Sequence, residues 1–457
     1  MADSDRWCVI GAGPSGLTAL KNLLAAGIDA ECLEREDGVG GNWNFGAASS
    51  RVFASTRLIS SKSLTAFTDY PMPRDWPHYP DHRQCLEYLR GYVRHFGLAA
   101  HVRHGAAVER IAPAAPGTGW VVHCAGHDTR RYAGVVIASG HNHVPRHAAG
   151  TDAFAGPVLH SADYKSPTQP LPLAGRRVLV VGAGNSGCDI AVECSRHAAL
   201  TVLSTRRGYH VVPREILGRP ADLRGERLLK LGLPVWLRRI ISLRAMHRAI
   251  GRPERHGLPR PDHRLWETHP IVNSELLDRI AAGAIVPAAA VDRFTEQGAL
   301  FSDGSAQDFD IVICATGYRT VLPFIDTRLL GADSAAGLPQ LYLNLLHPRR
   351  DDIAVVGLIQ PDSGQWGITD LQSRLVAGMA VAARRVPAAA AWLYAMRQRP
   401  TPRPAIRYVA SPRHALEVEH FAYRRRLERL VDSLERRLRR GTSRYGSCVS
   451  HARPRPP

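Results

Sequence analysis

Residues 180–190, "VVGAGNSGCDI", repeat a pattern already set out at residues 8–17, "CVIGAGPSGL". In the earlier copy an apolar run, Trp7 to Ile10, leads into the glycines. "LTALKNLLAAG" follows, with Leu17, Leu20, Leu23 and Leu24 at helical spacing, so the order is strand, tight turn, helix. Gly11 permits the turn, Gly13 lets backbone approach a pyrophosphate, and Gly16 lets the helix lie on the strand. Pro14 and Ser15 open a helix whose N-terminus favours a diphosphate. The next strand, "DAECLER", closes on Glu34 and Arg35. An acid at that point suits hydrogen bonds from an adenosine ribose.

The later copy has the same grammar and a different ending. "RRVLVV" is the strand, Gly182, Gly184 and Gly187 form the turn, and Asn185 and Ser186 begin the helix. The following strand, "LTVLSTRRG", ends in Arg206 and Arg207 instead of an acid. A carboxylate there would repel the 2′-phosphate that distinguishes NADPH from NADH, whereas guanidinium groups grip it with charge-assisted hydrogen bonds. Two copies with opposite endings predict two different dinucleotides, and FAD with NADPH is the simplest pair.

Bulk properties leave room for this reading. The 457 residues suffice for two or three domains, and 45% of them are hydrophobic. No run of about 18 apolar residues occurs and the start, "MADSDRW", is polar, so a soluble cytoplasmic protein is expected, without a membrane span. The eight cysteines include no C-x-x-C, which argues against a disulfide framework, a zinc site or a disulfide reductase. The net charge of +18 is spread along the chain without a groove-reading motif, so no nucleic-acid partner is expected. His141 and His143 form an H-x-H without a third ligand nearby, and no metal site is assigned.

Beyond the glycine motifs the chain resembles the flavin-containing monooxygenases, class B enzymes that use FAD and NADPH, over roughly Asp5 to Arg426. The most specific element is "FAGPVLHSADYK", in which Phe154, Gly156, His160, Tyr164 and Lys165 match the family signature F-x-G-x-x-x-H-x-x-x-[FY]-[KR]. Also family-like are "EREDGVGGNW", with Gly41, Asn42 and Trp43; "ASGH" at 138–141; "FDIVICATGY", with Thr316 and Gly317; and "DDIAVVGL" at 351–358. The resemblance implies that NADPH reduces FAD and that the flavin activates O2 as a C4a-(hydro)peroxide. One oxygen then passes to a small organic substrate at nitrogen or sulfur. Baeyer–Villiger relatives usually carry Trp where Tyr164 stands, which favours heteroatom oxygenation. One departure stands out: many members have an Asn where "RLISSKSLTAFTDYPMP" places Ile59, and this leaves open an NADPH oxidase that releases peroxide. No catalytic acid or base is assigned.

The expected fold class is α/β, with two Rossmann-like units and the NADPH domain inserted into the FAD domain. The expected boundaries are 1–165 and 321–440 for FAD, 166–320 for NADPH, and a disordered tail from 441. In "PVWLRRIISLRAMHRAI", Trp236, Ile240, Leu243 and Ile250 share a helical face ringed by arginines. Such a helix docks its apolar face on its own domain, or lies on an anionic membrane surface. For the substrate pocket the sequence offers Lys62, Gln365 and Trp366, the last two preceding a helix that begins near Thr369.

Overall fold

The structure is a computed structural model that describes residues 5–114, 119–333, 337–400, 406–409, 411 and 414–443. The first unit contains β1 (Trp7–Ile10), α1 (Pro14–Ala25), β2 (Ala30–Leu33), α2 (His82–His95), β3 (Val102–Arg103) and β4 (Gly134–Ile137). The second contains β5 (Val158–His160), β6 (Arg177–Val181), α3 (Asn185–Cys194), β7 (Leu200–Ser204), α4 (Ala221–Lys230), α5 (Val235–Ile250), β8 (Val286–Ala288) and β9 (Ile311–Cys314). The chain then returns to the first unit through β10 (Ile353–Val355), α6 (Trp366–Arg385) and α7 (His420–Ser443).

Each unit is built on a five-stranded parallel sheet. The first runs β10-β4-β1-β2-β3 and the second β8-β7-β6-β9-β5. Both place the strand that leads into a glycine turn at the centre, between the next strand in sequence and one that comes much later. Continuous apolar runs such as "RVLVV" and "IVIC" suit strands covered on both faces. The inserted arrangement is therefore as expected. Its first edge is not, because Val158–His160 pairs with β9 in the second sheet. The crossover thus falls before residue 158 and not at 165.

Helices α1, α6 and α7 pack beside the first sheet around one core that includes Leu17, Leu20, Leu375 and Leu427. A knot of polar groups is sealed between α1 and α6. Asp370 accepts hydrogen bonds from Thr18 Oγ1 at 2.6 Å and Asn22 Nδ2 at 2.9 Å, and Lys21 Nζ lies 3.2 Å away. Two connections link the units. Val144–Pro145 and Tyr318–Arg319 run side by side as an antiparallel pair, and Arg146 donates through Nη2 to Thr316 O at 2.8 Å.

The seven described cysteines are all free and buried. Two expectations need correction. Helix α7 continues through Ser443, past the proposed start of the tail at 441; residues 444–457 lie outside the described residues. Helix α5 does not bury the face marked by Trp236 and Ile240, which are 63% and 38% exposed. It turns Arg238 and Met246 inward instead. Ile241, Ser242 and Ala245 lie on the same side. Among the described residues no helix is long and apolar enough to cross a membrane.

Candidate functional site

The two glycine turns are near copies in three dimensions. Gly11 and Gly182 have φ of 98° and 105°, the left-handed region that a side chain rarely adopts. A Cβ on Gly16 would fall 1.7 Å from Gly11 O, and one on Gly187 would fall 1.8 Å from Gly182 O. Helix contact with the turn is possible only because both residues are glycine. The N-cap residues, Gly13 and Gly184, carry no side-chain cap, so each helix N-terminus leaves its first N–H groups facing outward. Gly13 also backs onto Gly41, its ideal Cβ only 3.6 Å from Gly41 Cα. Two bare, positively polarised backbone cradles fit the pyrophosphates of two dinucleotides.

The residues after β2 and β7 separate the cradles. Glu34 is buried at the end of β2, with Oε2 accepting from Ala12 N at 2.6 Å and Oε1 from Glu36 N at 3.0 Å. These bonds fix the carboxylate beside the first turn and leave lone pairs for ribose hydroxyls. Arg35, next to it, is exposed. At the second turn Asn185 is locked in place, donating to Pro270 O at 2.9 Å and accepting from Val272 N at 2.7 Å. Arg206 is exposed, whereas Arg207 is paired with Asp262 at 2.7 Å.

The signature "FAGPVLHSADYK" joins the units. His160 is fully buried; its Nδ1 accepts from Ala162 N at 3.1 Å, so its Nε2 donates to Gly317 O at 3.1 Å. Burial lowers its pKa to about 4 and keeps the ring neutral. Tyr164 donates to Glu193 on α3 at 2.9 Å, and Lys165 binds the carbonyls of Ser50 and Ala162. Phe154 packs against Gly156, where a Cβ would strike its ring at 2.5 Å. Thr316 and Gly317, at the end of β9, are held by Arg146 and His160.

Between the units lies a cavity of about 120 Å³. Ile59 contributes from the first unit, Pro270 and Val272 from the segment that locks Asn185, and Asp362 and Ser363 from the turn before α6. It thus abuts both the flavin-side loops and the second glycine turn. Asp222, at the start of α4, closes one wall by accepting from Ser61 N at 2.7 Å. Burial raises the pKa of Asp362 to about 7, although His420 N donates to it.

None of the three residues offered for the substrate pocket lines this cavity. Lys62 turns away and donates to Pro73 O at 2.7 Å, Arg74 O at 2.9 Å and Trp76 O at 2.5 Å, latching the turn at 73–76. Trp366 is the first residue of α6, so that helix starts three residues earlier than expected. Its ring is buried between Tyr88, stacked at 5.6 Å, and Trp43, edge-on at 5.7 Å. Gln365 caps the same helix and donates to Gly357 O and Ile359 O. Asn42 is exposed on the adjacent loop, and its carbonyl accepts from Ser50 Oγ. Asp222, Arg238, Trp266 and Asp362 were missed in the sequence, because the cavity gathers them from four separate segments. Among the described residues no three His, Cys, Asp or Glu side chains gather as a metal site.

Comparison with known proteins gives the same reading. The family described as Flavin-binding monooxygenase-like matches residues 4–435. Flavin-containing monooxygenase 5 of Mus musculus is 34% identical over 441 residues, covering 91% of this chain and 80% of that protein. Dimethylaniline monooxygenase [N-oxide-forming] 2 of Oryctolagus cuniculus is 33% identical over 390 residues, covering 80% and 71%. The solved flavin-containing monooxygenase from Stenotrophomonas maltophilia superposes with a TM-score of 0.61 at 24% identity, covering 83% and 99%.

Proposed function

The chain belongs to the flavin-binding monooxygenase-like family and is an NADPH-dependent FAD monooxygenase; from that premise we propose that it places one oxygen atom of O2 on a nitrogen or sulfur of a small organic molecule held in the cavity between the units. The observation that carries this is the position of the cavity, bounded by Ile59 and Ser363 on one side and by the segment that locks Asn185 on the other. The N-oxide-forming relative and the Tyr at position 164 favour heteroatom oxygenation over the Baeyer–Villiger type.

FAD would be held by Gly11, Gly13, Pro14, Ser15, Gly16, Glu34, Arg35, Gly41, Asn42 and Trp43, and NADPH by Gly182, Gly184, Asn185, Ser186, Gly187, Arg206, Arg207, Thr316 and Gly317. When bound, the two cofactors supply hydride transfer and oxygen activation. The protein contributes position and dryness. The open N-termini of α1 and α3 would take the two diphosphates, and His160 fixes the end of β9 against β5. Apolar walls around the cavity, including Ile59, Ile241 and Met246, keep bulk water away from the reacting centre.

The test is to mix FAD-loaded protein anaerobically with NADPH or NADH, then with labelled O2 and a panel of tertiary amines and thioethers. Bleaching by NADPH, poor bleaching by NADH and label in an N-oxide or sulfoxide are expected. Stoichiometric peroxide without labelled product would replace this reading with an NADPH oxidase, for which the apolar Ile59 in the cavity wall is the structural argument.

A further inference from the structure

Helix α5 points five residues into the cavity: Arg238, Ile241, Ser242, Ala245 and Met246. Four are apolar or small. The fifth is an arginine that is only 8% exposed. Its Nε is buried without a hydrogen-bond partner. No carboxylate lies within ion-pair distance of its guanidinium among the described residues, while Trp266 lies under it at 5.3 Å from the ring centroid.

Its neighbour shows what a structural arginine does in the same helix. Arg239 donates to Leu265 O at 3.0 Å and to Glu267 at 3.0 Å, bracing the loop that carries Trp266. Arg238 braces nothing. Burying a guanidinium without a partner is costly, and an aromatic face compensates only in part. Three carboxylates share the cavity. Asp222 is engaged by Ser61 N, Leu223 N and Ser363 Oγ, and Asp362 by His420 N. Glu419 accepts from Ala422 N. All three have donors of their own. Burial, the dominant influence on Arg238, works against its charge more strongly than Glu419 and Asp362 support it.

Resting on the proposed function, we infer that Arg238 anchors a carboxylate of the substrate, so that the enzyme takes amines or thioethers bearing an acid group, the soft atom directed toward the Ile59 and Ser363 end. An Arg–carboxylate pair in a half-dry cavity is a charge-assisted contact, and an ester or amide cannot replace it.

The experiment uses protein loaded with FAD and NADP+ and measures calorimetric binding of 3-(methylthio)propanoate and of its methyl ester. The acid should bind roughly ten- to hundredfold tighter than the ester in the wild-type protein, a comparison that needs no variant. Arg238→Met should remove that difference, and Arg238→Lys should keep part of it. Equal binding of acid and ester, or tighter binding of the ester, overturns the inference. So does an Arg238→Met protein that keeps the preference, or one whose lost affinity is for NADP+ in place of the acid. The monooxygenase reading is judged separately, by labelled product from any amine or thioether.

Discussion

Asp262 holds the guanidinium of Arg207, with Oδ1 2.7 Å from Nη2 and 3.3 Å from Nε. Hydrogen bonding from Arg207 is the main reason that this carboxyl falls to about 2. Arg206 beside it is exposed and has no ionic partner among the described residues. The proposed site for the 2′-phosphate thus sets an exposed Arg206 beside an Arg207 already paired with Asp262.

That charge count predicts an order. Arg206→Ala should raise KM for NADPH about tenfold. Arg207→Ala should raise it further, because it leaves Asp262 with only the His263 ring as partner, its charge no longer offset by the guanidinium. Asp262→Asn should lower it. KM for NADH should stay nearly constant through the series, and a parallel change in both would show that the arginines do not read the phosphate.

The paired glycines predict separable losses. A Cβ at position 16 or 187 meets a carbonyl oxygen at 1.7 or 1.8 Å, so the helix must move away from its turn at a cost of about 1–3 kcal/mol. Gly16→Ala should be isolated without bound FAD. Gly187→Ala should be yellow, yet its flavin should no longer bleach with NADPH. Absorbance spectra before and after anaerobic NADPH check both.

At Asp370, burial pushes the carboxyl pKa up, but the Lys21 charge and the bonds from Thr18, Thr68 and Asn22 outweigh it and leave the pKa lowered. A group with a depressed folded pKa adds stability above its unfolded value, near 4, and loses it as pH falls through the folded value. Asp370→Asn should therefore cost about 1–3 kcal/mol at pH 7, because it removes the charged acceptor shared by Thr18, Thr68 and Asn22, while Lys21 keeps its ion pair with Asp69 at 2.5 Å. The cost should shrink below pH 4, as read from urea unfolding at several pH values.

Asp362 predicts the opposite sign. Burial first, then Glu419 and Glu417, hold its carboxyl up to about 7, against a bond from His420 N and the charge of His269. Its penalty is absent below the unfolded value, near 4, and grows until pH reaches about 7. Asp362→Asn should gain urea resistance relative to wild type between pH 5 and pH 8. A difference that does not change with pH would show an ordinary carboxyl.

The glycine turns could be read from the chain because few other residues satisfy their backbone angles and contacts. Glu34 and the Arg206–Arg207 pair could be read because each follows a strand of standard length. Val158–His160 could not, because three residues show no periodicity and their place depends on β9, about 150 positions later. The inward turn of Arg238 is not legible in the sequence for a related reason. Helical spacing identifies the apolar stripe, and here α5 exposes Trp236 and turns the other side inward. Trp366 and Lys62 carry chemically suggestive side chains, but packing and backbone carbonyls account for them.

The two links between the units run as a matched pair, Tyr318 opposite Pro145 and Arg319 opposite Val144. A single strand of chain would let one body swivel about the other in any direction, like a lamp on a cord. Two strands sewn edge to edge act as a door hinge: they resist twist and sliding and leave one easy axis of opening.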